Sequence, residues 1–218
     1  MEKQYENIYI KRFLYFNIFV IKGIDGDILI DTGFIGTKKR IEKWLKKFNI
    51  KLIILTHAHI DHTWNTKYLK EKYNCKIAIG AKDIENLDNK KINSKASEKK
   101  HKTWTKLMNY GMNHFKLKKF NIDIPLKNNQ ELNMYGINLK IFNLPGHTNG
   151  SIGILFKNYL FAGDALVNRR KKITIAYQNQ NNKKATKSLN KIKKIKPKII
   201  FMGHDHEIKY EKLKEATT

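Results

Sequence analysis

The chain has 218 residues, 41% of them hydrophobic and 29% charged, and a mean hydropathy of -0.58, which describe a globular protein with room for one sizeable core and exclude a lipid-embedded body. Forty-four Lys+Arg against 19 Asp+Glu leave a net charge of +25, the footprint of a binder of nucleic acid or of an anionic surface. The excess is nearly all lysine, dispersed from end to end without the arginines and interleaved aromatics of a nucleic-acid face, so it reads as solvated surface charge.

In chain order, Tyr9 to Val20 supplies two strands or one bent hairpin. The run Phe13 to Ile21 (FLYFNIFVI) is about half the length that a bilayer-crossing helix needs. Asn17 interrupts it and no small-residue cleavage site comes after it, so it reads as buried strand and not as a membrane span or signal peptide. Asp27 to Asp31 (DILID) is a further strand, ending at a Thr32-Gly33 turn. Thr37 to Phe48 sets Ile41, Trp44, Leu45 and Phe48 at helical spacing with lysines opposite, which predicts an amphipathic surface helix.

Leu52 to Leu55 is a short apolar strand that delivers Thr56 and a group of histidines at its carboxyl end. A helix over Asn65–Tyr73 and a strand over Lys76–Ile79 come next. The single cysteine, Cys75, rules out an internal disulfide, fits a reducing compartment, with the cytoplasm expected, and reads as structural. Ala81 to about Phe120 is polar and reads as a helical insertion or lid, with His101 and His114 as ordinary surface or packing histidines. Strands return at Leu139–Asn143, Ser151–Phe156 and Tyr159–Ala162, a basic helix over Lys184–Lys194 is closed by Pro197, and Ile199–Met202 ends in Gly203-His204. The whole, 1–218, reads as one mixed α/β domain.

The stretch ILTHAHIDH, Ile54 to His62, crowds metal-capable side chains behind an apolar run. His57 and His59, two apart on an extended strand end, can face one point, whereas helical spacing would turn them apart. Asp61 and His62 leave in another direction, which implies two adjacent sites. A divalent transition ion takes neutral imidazole nitrogens and carboxylate oxygens, and a catalytic site keeps a position open for water. Further ligands must come from elsewhere in the chain. His147 (PGHTNGS) and His204 (IIFMGHDH) each follow a glycine at a strand-to-loop position, and Asp164 (FAGDAL) has the same setting. Four strand ends carrying ligand-type residues are not what packing alone produces.

These residues resemble the metallo-β-lactamase superfamily, whose signature is H-x-H-x-D-H followed by a separate His, Asp and His. The match runs from Asp31-Thr32-Gly33 through THAHIDH, PGHTNGS and Gly163-Asp164 to Gly203-His204. The resemblance implies a four-layer αββα sandwich with metals in a cleft at the edge of its two sheets. It also implies His57, His59 and His147 on one ion, Asp61, His62 and His204 on a second, and Asp164 bridging, with His206 the rival to His204. Asp31 would then orient a ligand histidine.

The function that this resemblance implies is that of a hydrolase with two divalent ions, zinc ahead of manganese or iron, whose shared water becomes a hydroxide nucleophile at neutral pH. Asp61 is the expected catalytic carboxylate, passing a proton to the leaving group. A small ester, thioester or lactone is the expected substrate, closest in motif to the glyoxalase II-like and lactonase-like group. β-Lactam hydrolysis is disfavoured, because the main clinical enzymes carry cysteine where this chain has Asp164 and lack the counterpart of His62. Glyoxalase II adds a C-terminal helical domain, whereas Asp205 to Thr218 alone follow the last ligand here, and Val167 stands where lactonases place a tyrosine. The rivals are a phosphodiesterase or nuclease acting on nucleic acid, suggested by the charge, and an iron-containing sulfur or redox protein. No membrane partner is expected.

Overall fold

The computed structural model describes residues 2–89, 95–96, 103, 106, 117–169 and 172–214. The first half pairs into one sheet, a polar β1 (Glu2–Tyr5) followed by the more apolar β2 (Ile8–Arg12), β3 (Asn17–Ile21), β4 (Asp27–Ile30), β5 (Ile50–Leu55) and β6 (Lys76–Gly80). β7 (Lys95–Ala96) stands apart, and β8 (Ile124–Leu126) completes the order β1-β2-β3-β4-β5-β6-β8. Pairing is antiparallel up to β4 and parallel from β4 onward.

The second half supplies β9 (Glu131–Met134), β10 (Ile137–Asn143), β11 (Ile152–Phe156) and β12 (Tyr159–Phe161). A hairpin of β13 (Val167–Arg169) and β14 (Lys172–Thr174) and the short β15 (Gln178–Asn179) come before β16 (Ile199–Phe201) and β17 (Ile208–Lys209). The second sheet has the order β17-β16-β12-β11-β10-β9, while β15 pairs with β7.

Alternation along the strands explains the layering. In β5, Leu52 and Ile54 face the second sheet, where Ile141, Ile154, Phe161 and Phe201 meet them. Ile53 and Leu55 face the other way, onto the helix Lys38–Leu45 with its Ile41, Trp44 and Leu45, and onto Leu69 of the helix Thr66–Tyr73. A strand covered on both faces must be apolar at every position, which is why IIL reads as an unbroken run. The helix Asn182–Ile195 lays Ala185, Leu189 and Ile192 on Leu160 and Ile200 of the second sheet. Each large apolar side chain so buried contributes about 1.5–3 kcal/mol. Helix, sheet, sheet, helix is the expected four-layer αββα sandwich.

Differences from the sequence reading have local causes. The basic helix starts earlier than Lys184 because the Asn181 side chain accepts from the Lys184 amide as its N-cap, and it stops at Lys196, left-handed at φ 51°, ahead of Pro197. Of the expected helical segment 81–120, the described residues show a 3-10 turn, Ala81–Asp83, the helix Ile84–Asn89 and β7. Most of that segment, with Trp104, His101 and His114, lies outside the described residues, and so does its reading as a lid. Among the described residues no helix is long and apolar enough to cross a membrane.

Candidate metal centre

Six strand ends meet at one edge of the sandwich. Asp31 follows β4, His57 and His59 follow β5, Asp83 follows β6, His147 follows β10, Asp164 follows β12 and His204 follows β16. All seven expected ligand residues fall into overlapping groups there: His57, His59 and His147; His57, His62 and Asp164; and Asp61, His62 and His204. His206 is exposed, and it is His204 that joins these groups.

In the first group His59 Nδ1 lies 3.1 Å from His57 Nε2 and 2.7 Å from His147 Nε2. Their tautomers follow from the surrounding bonds. His147 Nδ1 donates to the Gln178 carbonyl at 2.6 Å, so its Nε2 carries a lone pair. The Thr56 hydroxyl gives its one proton to Asp31, 2.8 Å away at Oδ2, and therefore accepts from His57 Nδ1 at 3.0 Å. His57 Nε2 is again a lone pair. His59 turns its Nδ1 toward both of these lone pairs, and its Nε2 is buried without a partner. Three ring nitrogens thus face one point, two of them lone pairs, in an arrangement that could hold a cation.

The second group is built differently. His62 Nδ1 donates to Asp31 Oδ2 at 2.7 Å, and His204 Nδ1 donates to the Tyr15 carbonyl. Their Nε2 atoms face carboxylates: His62 to Asp164 Oδ1 at 3.4 Å and Asp61 Oδ2 at 3.8 Å, His204 to Asp164 Oδ2 at 2.8 Å and Asp61 Oδ2 at 3.4 Å. His62 Nε2 and Asp164 Oδ1 are buried without hydrogen bonds. Asp164 also reaches the first group, its Oδ2 lying 3.4 Å from His147 Nε2. Asp61 is 30% exposed at its side chain and opens the group to solvent.

The electrostatics divide the same way. Burial, reinforced by neighbouring rings, holds His57 and His59 below the ordinary imidazole value, His59 at about 3. Burial also lowers His147, against the pull of Asp164. For His62 burial is outweighed by Asp164, Asp31 and Asp61, which raise it to about 9. For His204 it is outweighed by Asp164 and Asp61, which raise it to about 10. Asp164 and Asp61 are held low, against burial, by His204 and His62. Neutral imidazoles on one side and two carboxylates drawing positive charge on the other are the kinds of donor that divalent transition ions take.

Backbone fit keeps these groups close. Gly163, at φ 51°, packs on Thr56, where a Cβ would lie 2.8 Å from Oγ1. Thr32 Oγ1 donates to the His62 carbonyl at 2.9 Å and Thr63 Oγ1 to the His59 carbonyl at 2.9 Å. Sequence reasoning missed Asp83 and Gln178. Asp83 carried a faint signal, an acid directly after a strand; Gln178 acts through its main chain and carried none.

A family model described as the metallo-beta-lactamase superfamily matches residues 13–204. A probable metallo-hydrolase from Methanocaldococcus jannaschii is 35% identical over 144 residues, which cover 64% of this chain and 62% of that protein. Hydroxyacylglutathione hydrolase 1 from Vibrio vulnificus is 30% identical over 187 residues, covering 83% of this chain and 58% of that protein. This chain thus spans about three fifths of the length of these two relatives. Among solved structures, a metallo-beta-lactamase family protein from Thermus thermophilus matches with a TM-score of 0.71 at 19% identity, over 96% of this chain and 77% of that one.

Proposed function

The chain belongs to the metallo-beta-lactamase superfamily, and we propose that it is a metal-dependent hydrolase of a small ester, thioester or lactone, with two divalent ions, zinc ahead of manganese or iron. The observation that carries this reading is the convergence of ring nitrogens from His57, His59 and His147 beside two carboxylates that draw positive charge. We assign His57, His59 and His147 to one ion, Asp61, His62 and His204 to the other, and Asp164 to both. Ions bound there acidify water toward neutrality and polarise a carbonyl oxygen.

The chain's own residues do the rest. Asp31 and Thr56 fix the rings of His62 and His57 through their Nδ1 atoms, and Gln178 fixes that of His147. Asp61, partly exposed beside His204, is the carboxylate that takes a proton and delivers it to the leaving group. Leu14 and Tyr15, 83% and 74% exposed, stand next to His204 through the Tyr15 carbonyl and offer apolar surface to an acyl chain. The Vibrio relative is named for hydroxyacylglutathione hydrolysis, which favours a thioester among the three classes.

The test is metal analysis of purified protein together with thioester, lactone, phosphodiester and β-lactam substrates, on wild type and Asp164→Ala. Two ions per chain, with thioester or lactone turnover lost in the variant, support the reading. Iron as the dominant metal without thioester or lactone turnover, or cleavage confined to phosphodiesters, replaces it; the net charge of +25 favours the phosphodiesterase as runner-up.

A further inference from the structure

Asp83 has no part in the chemistry proposed for the metal centre, yet it is fully buried and accepts four hydrogen bonds. Its Oδ2 takes the Ala58 amide at 2.9 Å and the Thr148 hydroxyl at 2.6 Å. Its Oδ1 takes the Gly150 amide and the Asn86 side-chain amide, both at 2.8 Å. Ala58 lies between His57 and His59, and Thr148 and Gly150 follow His147. One carboxylate therefore binds a loop of the first sheet to a loop of the second, beside the backbone bond from Ile152 N to Thr56 O at 2.9 Å.

The seam has no slack. A Cβ on Gly150 would lie 2.3 Å from Asp83 N and 2.7 Å from its Cγ, and a Cβ on Gly80 would lie 2.1 Å from the Gly150 carbonyl oxygen. Two glycines let three backbones close around the carboxylate. The second metal group leans on other supports, Asp31 behind His62 and the Tyr15 carbonyl behind His204.

We propose that Asp83 is a positioning residue that sets the His57–His59 pair against His147, and so governs the affinity of the first metal site while leaving the second nearly untouched. This rests on the two-ion reading of the centre. In the full chain, Asp83→Asn keeps the volume and offers one acceptor oxygen where four donors need two. Metal-free wild type and variants are titrated with zinc against a chromophoric chelator, and thermal melting of the metal-free proteins is recorded alongside. His147→Ala and His204→Ala identify which binding step belongs to which site. Asp27→Asn serves as control: Asp27 is a buried carboxylate accepting from the Gly23 and Asn49 amides at the far end of β4.

First-site affinity is expected to fall roughly 10- to 100-fold in Asp83→Asn, with the second site within about threefold of wild type. Asp27→Asn is expected to lose stability without changing either step. Thr148→Val, which removes one of the four bonds, shifts the first site in the same direction by less, and it carries the test if Asp83→Asn does not fold. Equal losses at both sites, or an unchanged first site in whichever variant folds, overturn the proposal. A wild type that takes up neither zinc nor manganese nor iron fails before any variant is made, and that result rejects the metal reading itself.

Discussion

Asp31 Oδ2 lies 2.7 Å from His62 Nδ1, while its Oδ1 takes the Thr56 amide at 2.8 Å. The residue sits at φ 61°, the left-handed region, where a non-glycine residue carries about 1–3 kcal/mol of strain that surrounding contacts must offset. The carboxylate supplies those contacts. Asp31→Ala leaves the buried Thr56 amide unpaired, at about 1–3 kcal/mol. It also frees the His62 ring, and second-site zinc affinity is expected to drop roughly 10- to 100-fold. Thermal unfolding and zinc titration check this together, and wild-type values in both would remove Asp31 from the site.

Gly203, just after β16, is where the chain passes the centre. A methyl group there would stand 2.1 Å from Asp164 Oδ1 and 2.6 Å from His62 Cε1, both buried side chains. Gly203→Ala is expected to cost about 1–3 kcal/mol of stability by overpacking and to lower the metal content of desalted protein. Mass spectrometry for bound metal gives the answer; full occupancy would show that both ligands can move aside.

Glu207 accepts from Lys3, Tyr5 and Arg12. Burial alone would raise its carboxyl, but these partners hold it at about 2 against an ordinary 4.5. Its folded value is depressed, so its contribution to stability is complete above the unfolded value and is lost as pH falls through that window toward 2. Glu207→Gln is expected to destabilise by about 2–3 kcal/mol near neutrality, and the gap from wild type should narrow below about pH 4.5. Urea midpoints from about pH 7 to about pH 3 measure it. A gap independent of pH contradicts the assignment.

Cys75 is buried, and burial pushes its thiol up to about 11. A thiol so placed is almost wholly protonated and unreactive at neutral pH. Folded protein is expected to resist thiol-labelling reagents until denaturant is added, and Cys75→Ala to retain the proposed hydrolase activity. Rapid labelling of the native protein would give this residue a role that its packing does not suggest.

The grouping of His57, His147, Asp164 and His204 was legible because each follows an apolar strand, and strand ends of the two sheets meet at one edge. The strands with a hydrophobic period were legible for the same kind of reason. Glu2–Tyr5, Lys172–Thr174 and Gln178–Asn179 were not, since short polar strands are fixed by backbone pairing and leave no pattern of side chains. Asp83 was hidden because an acid opening a helical segment normally interacts with the helix start. Of its partners, Ala58 becomes a neighbour only when β5 and β6 pair, and Thr148 only when the two sheets dock.

The scattering of Asp31, His57, His59, Asp61, His62, His147, Asp164 and His204 over both sheets bears on how the protein matures. A nascent chain leaving the ribosome carries the first histidine cluster well before β10, β12 and β16 have been synthesised, so His147, Asp164 and His204 are not yet there to complete either group. Metal loading on the proposed ligands is therefore a late step, reserved for the finished sandwich, and an N-terminal fragment is no chelator of comparable strength.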